Sequence, residues 1–300
     1  MTALEPTRTL STPPAAPAPG RARHGRQRGP RVDWTVTILL ALGCLTVLVP
    51  LYFAVIMSLK TDQQAAAGSG FAWPSPIEFG NFATAWELTN FPRAFMISLS
   101  ITVVTVAGSI VLASLASYAI ARNWNHRVFK WSYIYLLAAM FIPFPVVALP
   151  QVQLTARLGL DNPFGVMLLH ILFGLSFNIL LYTAFLRSIP YELEESARMD
   201  GCTTNQTFWK LIFPLLAPMN ATVGIFAFLQ SCNDFIMPSL ITANPALQSI
   251  PVVQNIFQLK FASNYNVSFS SYLMAMAPTI IAYVFAQRWV MSGVTRGAIK

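Results

Sequence analysis

Four of the chain's eleven acidic residues, Glu192, Glu194, Glu195 and Asp200, lie within one short polar stretch between two long apolar runs. A carboxylate cluster placed like this is set to meet a basic partner. Two other polar features interrupt apolar sequence. His170 stands inside one run, where an ionisable side chain is either functional or a neutral imidazole hydrogen-bonded between helices. Asn233-Asp234 ends another run; the pair can donate to and accept from sugar hydroxyls, cap a helix end, or face water. Bond-breaking chemistry has no such signature. The chain lacks G-x-x-x-x-G-K-[ST], H-E-x-x-H and G-x-S-x-G, so neither nucleotide, metal-dependent nor serine hydrolysis is indicated. Cys44, Cys202 and Cys232 have no metal-ligand spacing, and their odd number gives no disulfide framework. No cofactor or metal is called for.

The elements that must hold these groups are membrane helices. With 55% hydrophobic and 10% charged residues over 300 positions and a mean hydropathy of +0.56, the chain is too apolar for a soluble domain. Six runs are long enough to cross a hydrocarbon core of roughly 30 Å, which takes about 20 helical residues. They fall at about 34–59, 94–121, 131–149, 162–186, 211–233 and 269–287. No period-2 pattern supports a barrel. Residues 1–33 carry six prolines and six arginines, five of them between Arg21 and Arg31, and read as a disordered tail whose charge anchors topology and touches anionic membrane lipid. The first run is too long for the apolar core of a cleavable signal peptide.

Loop charge sets the expected orientation. With both termini cytosolic, only Lys60, Arg93, Arg157 and Lys260 of the nineteen Lys and Arg residues face outward, so the positive-inside rule puts the acidic stretch in the cytosol. This sorting by loop, rather than onto one face, accounts for the net charge of +8 without nucleic acid. In the second span Ser109, Ala113, Ser117 and Ala121 make one face of small side chains, fit for close helix packing or for a substrate path. In the third, Pro143 and Pro145 free backbone carbonyls, either as packing kinks or as part of a pore lining.

The acidic stretch itself reads as two short helices and a turn. Pro190 suits a first helical position, and the glutamates after it favour the positive end of the helix dipole. Gly201 suits a left-handed C-cap. Thr203 with Gln206 forms a capping box that starts a second helix, with Phe208, Leu211, Ile212 and Leu215 on one face until Pro214 and Pro218 kink it.

The order Glu195-Ser196-Ala197, three residues, Gly201, nine residues, Leu211-Ile212-Phe213-Pro214 resembles the EAA loop of binding-protein-dependent ABC importer permeases. Ser196 stands for the first Ala of that pattern, Leu211 for Ile and Phe213 for Leu. The likeness spans nearly all of 34–300 and is similar to the smaller, maltose-type permease subunit of carbohydrate-uptake importers. It includes Met140-Phe141-Ile142-Pro143, Leu158-Gly159-Leu160-Asp161-Asn162, Ile189-Pro190-Tyr191-Glu192 and the ending Gly293-Val294-Thr295-Arg296-Gly297-Ala298-Ile299-Lys300. The chain departs from the family at Cys232-Asn233-Asp234-Phe235, where Trp is usual first, and at Ile97-Ser98, where Asn-Ser is usual.

The resemblance implies an all-α, polytopic permease fold of six transmembrane helices in a bacterial cell membrane, with a disordered tail at 1–33, a transmembrane domain at 34–300 and a coupling loop at 188–214. It implies a second homologous permease, a dimer of ABC ATPases that hydrolyse the ATP, an extracytoplasmic sugar-binding protein and a sugar substrate. Glu194, Glu195, Ala197, Asp200, Gly201 and Pro214 are the expected ATPase-coupling residues. Pro143, His170, Asn233 and Asp234 are the expected path residues. An ion-coupled carrier is the alternative, weakened by the scarcity of charge within the spans; a membrane assembly subunit without transport activity is another.

Overall fold

The computed structural model describes residues 34–260 and 264–298, and the expected tail lies outside them. It divides into two units, 1–48 and 49–300. The described part of the first is the opening of helix α1 (Trp34–Ser58), where the residues from Trp34 to Leu48 are exposed although most of them are apolar. That is the surface lipid solvates and water does not.

The second unit is built on three helices, α4 (Phe91–Arg122), α7 (Pro163–Leu186) and α11 (Ala217–Asn233). Each has a readable start or stop. Asn162 caps α7, its Oδ1 accepting from the N–H groups of Phe164 and Gly165, and Pro163 takes the first helical position where no N–H is needed. The small-residue face of α4 lies against α7: Ser109, Ala113 and Ser117 are buried, and Ser117 Oγ donates to the Ile179 carbonyl at 3.3 Å. Gly108 allows the same approach, since a Cβ there would run into Ile171. Below this seam Tyr182, Leu186, Phe208, Ile212, Leu216 and Val223 close a buried apolar cluster.

Around the three helices, α2 (Asp62–Ala67) and α3 (Gly80–Leu88) follow α1, and α14 (Tyr265–Ala298) packs on α3 and α11. Their junction is polar and held by side-chain hydrogen bonds. Asn81 Nδ2 donates to the carbonyls of Ser58 and Lys60 at 2.9 and 2.8 Å, and Asn266 Nδ2 donates to Asn81 Oδ1 at 2.9 Å and Asp62 Oδ1 at 2.7 Å. Helices α12 (Ile236–Ile241) and α13 (Ile250–Lys260) complete this end, where Ser98 Oγ accepts from the Ile250 N–H at 2.8 Å.

Among the described residues four helices are long and apolar enough to cross a membrane, and six spans result if each of two bent helix pairs counts as one. Two of the expected spans are bent. The run at 131–149 is two helices, α5 (Arg127–Ala139) and α6 (Phe144–Arg157), meeting at 102°. Pro143 is the N-cap of α6 instead of a kink within one helix, because the residue before it, Ile142, is disfavoured in the α region and Pro143 has no N–H to continue the helix. The run expected at 211–233 breaks by 75° at Leu216, so its straight part starts at Ala217. The last helix begins at Tyr265 instead of 269, and its membrane-length apolar part is Tyr265–Val284. No strand occurs among the described residues.

Candidate functional site

At one end of the α4–α7 pair the chain forms a helix-turn-helix. Helix α8 (Glu192–Met199) starts two residues later than Pro190 would place it, with Tyr191 as N-cap. Its first turn holds Glu192, Glu194 and Glu195 at the positive end of the dipole and its last turn holds Arg198. The stop is a Schellman motif: the Gly201 N–H donates to the Arg198 carbonyl at 2.9 Å and the Cys202 N–H to the Ala197 carbonyl at 3.0 Å, with Gly201 at φ +81°. Thr203 then caps α9 (Thr204–Thr207) reciprocally: its Oγ1 accepts from the Gln206 N–H, and its own N–H donates to Gln206 Oε1 at 2.9 Å.

The helix beyond departs from α geometry. A π turn at Phe208–Ile212 precedes α10 (Phe213–Leu215), so the buried series is Phe208, Ile212 and Leu216. Leu215, expected on the same face, is 42% exposed. A π turn inserts an extra residue, and the side chain after Leu215 inherits the inward position. Pro214 is exposed beside the bend.

The four carboxylates have different surroundings. Glu194 points inward, fully buried, its Oε1 accepting from Arg122 Nε at 2.6 Å and its Oε2 from the Tyr118 hydroxyl at 2.7 Å. Glu194, one of the expected ATPase-coupling residues, thereby faces into the fold and not onto the outer surface of α8. Arg122 also lies 5.8 Å from the Tyr191 ring, and Arg198 donates to the Tyr191 hydroxyl at 2.9 Å. Arg187, at the end of α7, stacks 3.6 Å over Trp124 of the α4–α5 turn. Glu192, Glu195 and Asp200 are exposed, together with Leu193 (42%) and Met199 (88%), while Ala197 is half-buried. Glu195 makes no ion pair among the described residues. The outer surface of α8 therefore combines free carboxylates with uncovered apolar side chains, which is what a protein-contact surface needs and a solvated loop does not.

The second polar group joins residues far apart in sequence. His170 of α7 and Asp234 are in contact, Nε2 to Oδ2 at 2.9 Å, and His170 Nδ1 lies 3.2 Å from Ser231 Oγ. His170 is 2% exposed. Asp234 Oδ1 also accepts from the Ile236 N–H at 2.9 Å, in the first turn of α12, so the carboxylate makes a helix-end contact as well as the contact with His170. Asn233 turns away: its Nδ2 donates to the Leu229 carbonyl of its own helix at 2.8 Å. Pro143 is outside this cluster, at the α5–α6 break, where the next residue, Phe144, meets Phe173 of α7 edge to face. Among the described residues no group of three metal-ligating side chains forms. Tyr118 and Arg122 were not singled out by the sequence reading; a tyrosine and an arginine four residues apart at a span's end were the available signal.

Several membrane-length helices with a helix-turn-helix at one end make this a polytopic membrane protein. Residues 109–296 match the binding-protein-dependent transport system inner membrane component family, and the chain belongs to it. It is 31% identical over 266 residues to the multiple sugar-binding transport system permease protein MsmG of Streptococcus mutans, covering 88% of this chain and 95% of that protein. It is 28% identical over 280 residues to the melibiose/raffinose/stachyose import permease protein MelC of Bacillus subtilis, covering 93% and 99%. A crystal structure of a bacterial ABC transporter involved in alginate import shares the fold, with a TM-score of 0.74, 24% identity, and 90% of this chain and 99% of the other covered. The protein is thus a multi-pass inner-membrane transport subunit and not an enzyme; neither an ion-coupled carrier nor a subunit without transport activity is the class this family defines.

Proposed function

We propose that the chain forms one half of the translocation path of an ATP-driven carbohydrate importer, with residues 188–214 as the loop that receives motion from a separate ATPase. Its partners in this reading are a second homologous permease, a dimer of ABC ATPases and an extracytoplasmic sugar-binding protein. The relatives named for sugar transport support the substrate class. The observation that carries the coupling role is the two-sided character of α8: Glu195, Leu193 and Met199 are uncovered while Glu194 is locked to Arg122. A force applied to the outer face then reaches α4 through a short, desolvated ion pair and not through a flexible linker.

In this reading both termini and the loop are cytosolic, which the distribution of Lys and Arg supports. Closure of the ATPases moves α8, α4 and α7 together and shifts the bundle between outward and inward access. ATP achieves this only because it binds one of two states better. Asp200, Gly201 and Pro214 act on geometry: Gly201 holds the turn, Asp200 ends α8 and Pro214 sits at the bend where the loop rejoins the bundle. His170, Ser231 and Asp234 tie α7 to α11 and α12 beside the path. Uptake of a panel of labelled mono- and oligosaccharides by a deletion strain and its complemented parent tests the substrate class, and copurification of an ATPase tests the coupling role. Uptake of no sugar, or isolation of the chain without an ATPase, contradicts the corresponding half.

A further inference from the structure

Between α4, α7 and α11 lies a cavity of about 190 Å³. Thr105 and Ser109, one helical turn apart on α4, are 2% and 1% exposed, and neither hydroxyl has a hydrogen-bond partner. Other hydroxyls of the same helix behave differently. Ser100 Oγ donates to the Met96 carbonyl and Ser114 Oγ to the Val111 carbonyl, the usual way a helical serine satisfies itself. Buried polar atoms left without partners are rare and need a ligand or water.

The rest of the lining has a consistent chemistry. Asn178 and Gln230 add amides, while Phe177 and Phe226, ring centroids 5.7 Å apart at 83°, line the cavity and are themselves partly exposed. His170 borders it, but both ring nitrogens are already occupied by Ser231 and Asp234. No Asp, Glu, Lys or Arg lines it among the described residues. Hydroxyls and amides beside aromatic rings, without a charge, suit a solute with many hydroxyls, apolar C–H faces and no charge. The volume is below the roughly 300–1,000 Å³ of drug-sized sites and holds about six waters at about 30 Å³ each.

We infer that this cavity is a binding subsite for one neutral sugar ring, entered past Phe177 and Phe226, with Thr105 and Ser109 bonding to ring hydroxyls. The inference rests on the carbohydrate reading above and adds to it a position and a charge selectivity. A carboxylate-bearing ring is excluded, because nothing in the cavity replaces the hydration a carboxylate would lose there.

The test uses membrane vesicles holding the full chain with its copurifying partners, with Cys44, Cys202 and Cys232 replaced by serine. Ser109→Cys and, separately, Thr105→Cys are reacted with methyl methanethiosulfonate in the presence of glucose, galactose, mannose, N-acetylglucosamine, arabinose, glucuronate or galacturonate. The expected result is that at least one neutral sugar slows the reaction in both variants, about tenfold at ten times its dissociation constant, while the uronates do not. No protection by any neutral sugar marks a water-filled cavity only, and equal protection by the uronates removes the charge selectivity; either overturns the inference, as does a thiol that fails to react in both variants. Failure of the carbohydrate reading shows separately, as absence of sugar uptake by the unaltered protein.

Discussion

Arg122 Nε and Glu194 Oε1, 72 positions apart, meet at 2.6 Å with the carboxylate fully buried. The pair fastens α8 to the end of α4, and Tyr118 occupies the second carboxylate oxygen. Removing one partner of a buried pair leaves the other charge uncompensated and costs about 3–5 kcal/mol. Arg122→Ala and Glu194→Ala should therefore both lower the melting temperature of the detergent-solubilised protein and weaken ATPase retention. Glu194→Gln keeps acceptor and size and should be milder. Thermal unfolding of the three variants side by side checks the order.

Gly201 is at φ +81° with nothing within 4 Å of where a Cβ would stand, so the cost of substitution there is conformational and not a clash. Gly201→Ala should cost about 1–2 kcal/mol, and Gly201→Asn less, because Asn tolerates the left-handed region. Gly201→Val should leave the protein in the membrane and abolish coupled transport by re-aiming α9. Sugar uptake and ATP hydrolysis, measured on the same vesicles, check this; equal activity for Val and Asn would mean the turn geometry does not matter.

Asp234 does two jobs that different substitutions separate. Asp234→Asn keeps an oxygen for the Ile236 N–H but loses the charge facing His170; Asp234→Ala loses both. The cap alone is worth about 0.5–2 kcal/mol. Asp234→Ala should be the less stable variant, and both should reduce uptake without changing ATPase association. Unaltered uptake in both would restrict Asp234 to capping.

Deleting residues 1–20 should leave insertion and transport nearly intact, whereas changing the arginines between Arg21 and Arg31 to glutamine should impair or misorient insertion. Accessibility labelling of a cysteine added at the C-terminus reports the outcome. Unchanged topology in the glutamine variant would show that the charges of the later loops suffice.

Local chemistry explains what was legible in the sequence. Thr203 with Gln206 and the glycine at 201 signal a helix start and stop through their own backbone bonds, and both are found where the residue types put them. The apolar runs gave α1, α4 and α7 nearly to the residue. The inward turn of Glu194 was not legible, because a run of glutamates on a short helix does not say which one faces Arg122; that depends on where α4 ends in space. The His170–Asp234 contact spans 64 positions and depends on how α7 and α11 pack, which no local period records. The shift from Leu215 to Leu216 had the same origin, since a π turn is invisible to a 3.6-residue pattern.

The central claim is that the outer face of α8 receives the ATPase. Glu195 is exposed beside Leu193, and reversing its charge turns an attraction to a basic partner into a repulsion of several kcal/mol if the contact is desolvated, about 100-fold or more in affinity. The direct measurement is pull-down of the ATPase from solubilised membranes with Glu195→Lys, alongside sugar uptake and ATP hydrolysis. The account predicts normal membrane levels of the variant with loss of bound ATPase and of uptake. Retention of the ATPase and uptake at the unaltered rate would contradict it.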